Sequence, residues 1–291
     1  MWISFGLACA LLIGTSDAIA KKLLARADEA TVAWAKVLFS LPWLLLVFLN
    51  AGLPALSWEF WKVTGMMIPL ELTAYLCALK SMKKGLLSLV IPFQAFTPLL
   101  TVATGWLFLG EAVTMAGFIG VVAVTVGAYA LHAELAVHGP LEPVRAMLKN
   151  EGIRLMMITA ALYSITSVLS KRAVLLSSPE SFPFIYLSLD ALILCALVAA
   201  RAKGDLRRLG GQLRAQLPLY MLAGLVMSGA FLMHCLGIRE APVAYFIAIK
   251  RLSLLVSVLY GGLLYREPAF RQRMAATAVM LAGAAIITLA A

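Results

Sequence analysis

Charged side chains are scarce in this chain. Asp, Glu, Lys and Arg make up 13% of its 291 residues, about half the roughly 25% usual in a soluble domain. That excludes a protein whose whole surface must be kept wet. Three histidines with no metal-ligand spacing around them, no glycine-rich nucleotide loop and no Ser/His/Asp set at membrane depth make enzyme readings poor, and no cofactor or metal is expected. The four cysteines, Cys9, Cys77, Cys195 and Cys235, all fall in apolar stretches without a close pair. They read as free buried thiols, not as a disulfide framework. Acidic residues are outnumbered, 14 against 24 Lys and Arg. In so apolar a chain that excess belongs to cytoplasmic loops and lipid headgroups, with no nucleic-acid partner. No basic residue precedes the first apolar run and Lys21-Lys22 follow it, which argues against a cleaved signal peptide.

Apolar sequence is what remains. Hydrophobic residues make up 63% and the mean hydropathy is +0.95, so the chain reads as an all-α, polytopic membrane protein. Ten segments have the roughly 20-residue length a bilayer requires: 2–25, 31–49, 61–80, 86–109, 114–131, 153–175, 182–200, 217–237, 242–265 and 272–290. The longest loop, around Pro140 and Pro143, is a linker (136–152) between a first half (1–135) and a second (153–291). The halves resemble each other. Gly14-Thr-Ser-Asp-Ala-Ile-Ala-Lys-Lys aligns with Ser164-Ile-Thr-Ser-Val-Leu-Ser-Lys-Arg, and Gly105, Glu111 and Gly127 recur as Gly261, Glu267 and Gly283 at an offset of 156. Five spans per half is odd, so the second copy enters the membrane inverted. Ten transmembrane helices as two inverted five-helix repeats is the pattern of alternating-access transporters.

Two spans carry a polar stripe. Reading forward from Lys250 at helical spacing gives Ser253, Ser257, Tyr260 and Gly261; the run from Phe93 to Glu111 shows Gln94, Thr97, Thr101, Thr104 and Gly105 on one face. These look like two walls of a pathway. Most of the 24 Lys and Arg lie in the loops after spans 1, 3, 5, 7 and 9, with only Lys62, Lys171, Arg172 and Arg239 on the opposite side. The positive-inside rule then places both termini outside the cytoplasm.

The run GWLFLGEAVTMAGFIGVVAVTVGAYAL (105–131), with Gly-Glu closing the fourth span and a glycine-rich fifth, resembles the drug/metabolite transporter superfamily, EamA type. The second half departs from that pattern with Arg266-Glu267-Pro268. The resemblance implies a multi-pass protein of a bacterial inner membrane, with a central cavity lined by spans 1, 3, 4, 6, 8 and 9 and the fifth and tenth peripheral. It also implies both termini in the cytoplasm, which the distribution of basic residues contradicts. The Lys250-Arg251 doublet is similar to a basic pair in the ninth span of sugar-phosphate members, whose further basic partner in the fourth span is replaced here by neutral Gln94.

Charges inside a bilayer are costly unless paired or wet, so each is a site candidate. Lys250 lies about 12 Å of helix in from Pro242, where it reads as the anchor of a carboxylate or phosphate, or as half of an ion pair with Glu71 or Asp190. Arg251 clamps an oxyanion or ties its span to a neighbour. Glu71, with Tyr75 one turn on, is a proton carrier if burial keeps it neutral and a fixed ion if Lys250 is close. Asp190 and His234 favour structural roles. Lys36 is placed to snorkel, and Asp17 to pair locally with Lys21. Even so, Ser16-Asp17 and Thr166-Ser167 are matching polar spots in the repeat, which favours lining. Tyr245 is an interfacial anchor or a gate. Gly117, Gly120 and Gly127 allow close helix contact, within the bundle or in a homodimer through the fifth and tenth spans.

The expected partners are a small-molecule substrate and membrane lipids. The substrate set is Lys250, Arg251, Gln94, Ser253, Ser257, Tyr260, Tyr75, Thr97, Thr101, Ser16 and Ser167, with Glu71 for proton coupling. The hydroxyls beside Lys250 favour an anionic or zwitterionic metabolite. The alternatives are an amphipathic cation held by Glu71 and Tyr75, or an enzyme or flippase acting on a lipid-linked phosphate.

Overall fold

The computed structural model describes residues 1–85, 90–130, 150–202, 206–256, 260 and 270–290. Ser257, Gly261, Glu267 and nearly all of the expected linker lie outside them. Among the described residues every regular element is helical: α1 (Trp2–Leu24), α2 (Glu29–Ala51), α3 (Trp58–Lys84), a 3₁₀ turn (Ile91–Ala95) leading into α4 (Phe96–Leu109), α5 (Met115–Ala130), α6 (Glu151–Leu175), α7 (Phe182–Ala202), the short α8 (Leu206–Ala215), α9 (Leu217–Glu240), α10 (Val243–Lys250) and α11 (Phe270–Ala290). Six of them, α1, α2, α3, α6, α7 and α9, are long and apolar enough to cross a bilayer, and shorter apolar stretches run Phe93–Leu109, Met115–Gly127 and Val279–Ala290.

Local chemistry sets where these rods begin and end. Asp28 caps α2, its Oδ1 accepting from the backbone N–H of Ala30 (3.0 Å) and Thr31 (3.1 Å). Ser57 and Asn150 do the same for α3 and α6, accepting from Phe60 N at 3.2 Å and Ile153 N at 3.2 Å. Each satisfies a donor the first turn would otherwise orphan. Gly110 ends α4 at φ +66°, a left-handed turn that a side chain disfavours and that swings the next residue, Glu111, back toward the bundle.

Packing then arranges the rods in space. α3 lies along α6, α1 along α9, and α2 between α7 and α9; α10 rests on α4 and α1, and α4 on α6. α5 and α11 form a separate outer pair that meets through glycine. A Cβ on Gly120 would stand 2.9 Å from the Gly283 carbonyl oxygen, and one on Gly283 would stand 2.8 Å from that of Gly120. These glycines therefore serve a contact inside the chain. Large apolar side chains such as Leu46, Leu49, Trp106, Leu107, Leu192 and Leu281 remain more than half exposed around the outside, a belt suited to lipid and too large for water.

The fourth and ninth spans differ from the continuous helices expected of them. The fourth opens with the 3₁₀ turn. The ninth breaks at Arg251-Leu252 before a helical stretch at 253–256, and across the break Leu252, Leu254 and Leu255 donate to the carbonyls three residues back, Ile249, Arg251 and Leu252, each at 3.0 Å. A 3₁₀ turn advances about 120° per residue against about 100° in an α-helix. The face counted forward from Lys250 therefore rotates away from the one it began on.

Candidate functional site

A cavity of about 200 Å³ sits at the centre, walled by α1, α2, α3, α6, α7 and α9 and by the Gln94 and Lys250-Arg251 turns. Its lining carries three carboxylates, Asp17, Glu71 and Asp190, and three bases, Lys36, Lys250 and Arg251, together with Tyr75, Tyr163, Tyr186 and His234. Formally the charges cancel. Yet among the described residues none of these six meets an opposite charge within 4.0 Å; the ion pairs lie elsewhere.

Neutral partners hold the bases instead. Arg251 Nη1 donates to Gln94 Oε1 at 2.7 Å, which joins the two 3₁₀ turns. Lys250 Nζ stands 3.3 Å from His234 Nδ1, and Ser170 Oγ is 3.4 Å from His234 Nε2. With the ammonium as donor, Nδ1 accepts and the ring proton sits on Nε2, facing the serine. Phe231 stacks on the imidazole at 5.9 Å and 5°, and Phe246 leans on it at 5.4 Å. Lys36 Nζ donates to Ser16 Oγ at 2.8 Å and lies 5.7 Å over the Tyr75 ring, a cation–π contact. Thr166 places its hydroxyl within hydrogen-bonding reach of Glu71.

Several polar atoms on this wall find little in the protein. Tyr75 Oη and Arg251 Nε are buried without a hydrogen-bond partner, and Tyr186 Oη and Asp190 have only each other within reach. Burying such groups unpaired costs roughly 1–3 kcal/mol each. Their concentration around one cavity is what a site for a polar ligand looks like. Among the described residues no group of His, Cys, Asp and Glu could hold a metal ion.

The sequence-derived residues divide in two. Lys250, Arg251, Gln94, Tyr75, Ser16, Ser167 and Glu71 all line the cavity. Thr97, Thr101 and Ser253 are buried but outside that lining; Thr101 Oγ1 donates back to the Thr97 carbonyl at 2.7 Å. Tyr260 Oη lies 3.2 Å from Thr15 Oγ1, outside the lining, and Ser257 is outside the described residues. Three readings need correction. Lys36 does not snorkel: it is 3% exposed and bound to Ser16. Asp17 does not pair with Lys21, whose ammonium donates to the carbonyls of Met82 (2.6 Å) and Gly85 (2.8 Å). Asp190, expected further from the cavity, is part of its wall. His234 lines it too, and is hydrogen-bonded as its structural reading has it. Tyr163, Ser170 and Tyr186 were not singled out as ligand contacts, while Thr166 was marked only as a matching polar spot beside Ser167. For the three on α6 the signal was present, since Tyr163, Thr166, Ser167 and Ser170 repeat at helical spacing like the stripes of the fourth and ninth spans.

An apolar helical bundle enclosing a charged, incompletely satisfied cavity defines a multi-pass membrane protein with an internal polar site. The profile of the EamA-like transporter family matches residues 1–132 and 150–289. The chain belongs to that family, and so to the drug/metabolite transporter superfamily of membrane transporters. One solved structure, described only as the crystal structure of a protein, superposes on 99% of this chain and 96% of its own with a TM-score of 0.74 at 18% identity. At that identity it speaks to the fold alone. No curated protein matches the sequence.

Proposed function

We propose that this protein is a secondary active transporter that carries a small zwitterionic metabolite by alternating access. The observation that carries the reading is the lining itself: three carboxylates and three bases around one cavity, unpaired with each other and left with unsatisfied polar atoms. Lys250 and Arg251 offer a carboxylate or phosphate its partners, while Glu71 and Asp190, amid tyrosines, offer an ammonium its own. A purely anionic substrate would leave three carboxylates without a role. The hydroxyls beside Lys250 that favoured an anion do not belong to this lining, for neither Ser253 nor Tyr260 is part of it. Size points the same way: about 200 Å³ lies below the roughly 300–1,000 Å³ of drug-sized pockets, and far below what a lipid-linked substrate fills.

The pairing of helices supports two inverted five-helix repeats. α3 against α6 is mirrored by α9 against α1, α4 against α6 by α10 against α1, and α5 against α11 lies on the dividing axis. A 3₁₀ turn occurs at matching places in both halves, beside Gln94 and beside Lys250, and broken helices at a repeat interface are where such transporters bind solute. A homodimer through the fifth and tenth spans would have to use faces other than Gly120 and Gly283.

A thermal-shift screen of purified protein tests the substrate class. A zwitterion present at 100 times its Kd stabilises the folded state by about 2.7 kcal/mol, and Lys250→Ala should abolish that shift. Stabilisation by quaternary ammonium compounds that survives Lys250→Ala and vanishes in Glu71→Ala would replace this reading with the cation one.

A further inference from the structure

One end of the bundle, where α4 turns into α5 and α9 into α10, is closed in layers above the cavity. The outermost layer is polar. Glu111 Oε1 accepts from Lys171 Nζ in an ion pair whose side chains are only 21% and 10% exposed. Its other oxygen accepts from Val243 N at 2.8 Å, and Lys171 Nζ donates also to the Ala241 carbonyl at 2.7 Å. One carboxylate thus binds the end of α4, the end of α6 and the start of α10. Tyr245 Oη, held by Thr114 N at 2.9 Å and 3.1 Å from Thr114 Oγ1, ties α10 to the α4–α5 turn as well.

Beneath this layer lies an apolar one. Val168, Ile238, Ala241, Val243, Phe246 and Ile247 pack together, each no more than 1% exposed. Gly237 makes room for the Phe246 ring, which would stand 2.2 Å from a Cβ there. The inner edge of Phe246 touches His234, on the cavity wall. Solute leaving the cavity toward this end must part that cluster, and the cluster cannot part while Val243 is held to Glu111.

We propose that Glu111 is the gate residue of this end: its bridge to Lys171 and Val243 keeps the apolar plug shut, and breaking the bridge opens the cavity to that side. The inference rests on the transporter reading. Glu111 comes from the first half, while Lys171 and Val243 come from the second, so the bridge spans the boundary that alternating access must shear. Charge matters because a half-sheltered carboxylate that loses its ammonium partner gains from rehydration, which requires the three ends to separate.

Accessibility tests this without any substrate. The four native cysteines are replaced by serine and Ser170→Cys supplies one thiol on the cavity wall. A membrane-impermeant maleimide is then applied to sealed vesicles of each orientation. With Glu111 and Lys171 intact, the thiol should be protected from the gated end. Glu111→Gln should speed its labelling from that end about tenfold, the change in open population that about 1.4 kcal/mol brings. Lys171→Met, which keeps the Glu111–Val243 bond, should do the same to a lesser degree, and it carries the test if Glu111→Gln fails to give monodisperse protein. Lys171→Arg should preserve protection. Equal labelling from both ends before substitution, or unchanged protection in folded Glu111→Gln or Lys171→Met protein, would overturn the gate. A chain that moves no solute yet shows the Glu111 effect would sink the transporter reading and leave the gate standing.

Discussion

Gly224 sits where α9 crosses α2, and the fit there allows no side chain. A Cβ added to it would stand 2.3 Å from the carbonyl carbon of Phe39, 2.4 Å from that carbonyl oxygen and 2.7 Å from the Phe39 Cβ. Two of these atoms are helix backbone, so no rotamer relieves the clash. Restoring a contact of about 3.5 Å needs α9 and α2 to part by roughly 1 Å, in a core where Tyr220 stacks on Phe39 at 6.4 Å. Overpacking of this kind typically costs about 1–3 kcal/mol. Gly224→Ala should therefore unfold about 2–6 °C lower than the parent in a thermal melt. Gly65 is the control: it is also inside a helix, α3, but nothing lies within 4 Å of its added Cβ. Gly65→Ala should be neutral or stabilising by up to about 1 kcal/mol through helix propensity. The consequence reaches function, because α9 also carries His234, which holds Lys250. Displacing the helix should loosen ligand binding along with the fold. A Gly224→Ala protein as stable as the parent would refute the close crossing.

Three further outcomes follow from the same geometry. Glu71→Gln should abolish uphill, proton-driven uptake while sparing exchange at equal concentrations, since the amide mimics the protonated acid; loss of both with the fold intact would make Glu71 a binding residue only. At Asp28, outside the spans, burial pushes the carboxyl up, but the Thr31 hydroxyl and the N–H groups of Thr31 and Ala30 outweigh it and hold it below its ordinary value. A depressed folded value contributes stability above the unfolded value of about 3.9 and loses it as pH falls through the folded one. Melts of the parent should thus fall below about pH 4 relative to Asp28→Asn, and Asp28→Ala should cost roughly 0.5–2 kcal/mol at neutral pH; parallel pH profiles would remove the cap from the account. Finally, a cysteine at Asn150, among the basic loops, should be shielded from impermeant reagent in intact cells while one at Ser57 is labelled. The reverse pattern would put both termini in the cytoplasm.

How much of this was legible in the sequence depends on range. Six spans are found where apolar run length, a local property, put them, but the caps Asp28 and Asn150 that set the starts of α2 and α6 were not picked out. Cavity residues read well where a charge is too costly at mid-membrane to lack a purpose, as with Lys250, Arg251 and Glu71. Failure came where a residue had a plausible partner on its own helix. Asp17 has Lys21 four residues on, yet the backbone carbonyls at the end of α3 compete for that ammonium and win. Lys36 is close enough to a helix end to reach water, but Ser16 and the Tyr75 ring, on other helices, hold it inside. The ninth-span stripe misled for a different reason: helical spacing was carried through Lys250-Arg251, where the hydrogen-bond period changes from four to three. A count of polar residues at helical spacing does not detect that turn, because Lys250 and Ser253 keep a plausible three-residue interval across it.

The most direct test of the central claim is counterflow in proteoliposomes of purified protein. Vesicles loaded with an unlabelled zwitterionic amino acid are diluted into a trace of the same compound carrying a label. The account predicts a transient accumulation of label that is lost in Lys250→Ala and absent for a quaternary ammonium compound of equal size. Turnover of a lipid-linked phosphate with no counterflow of any solute would contradict it.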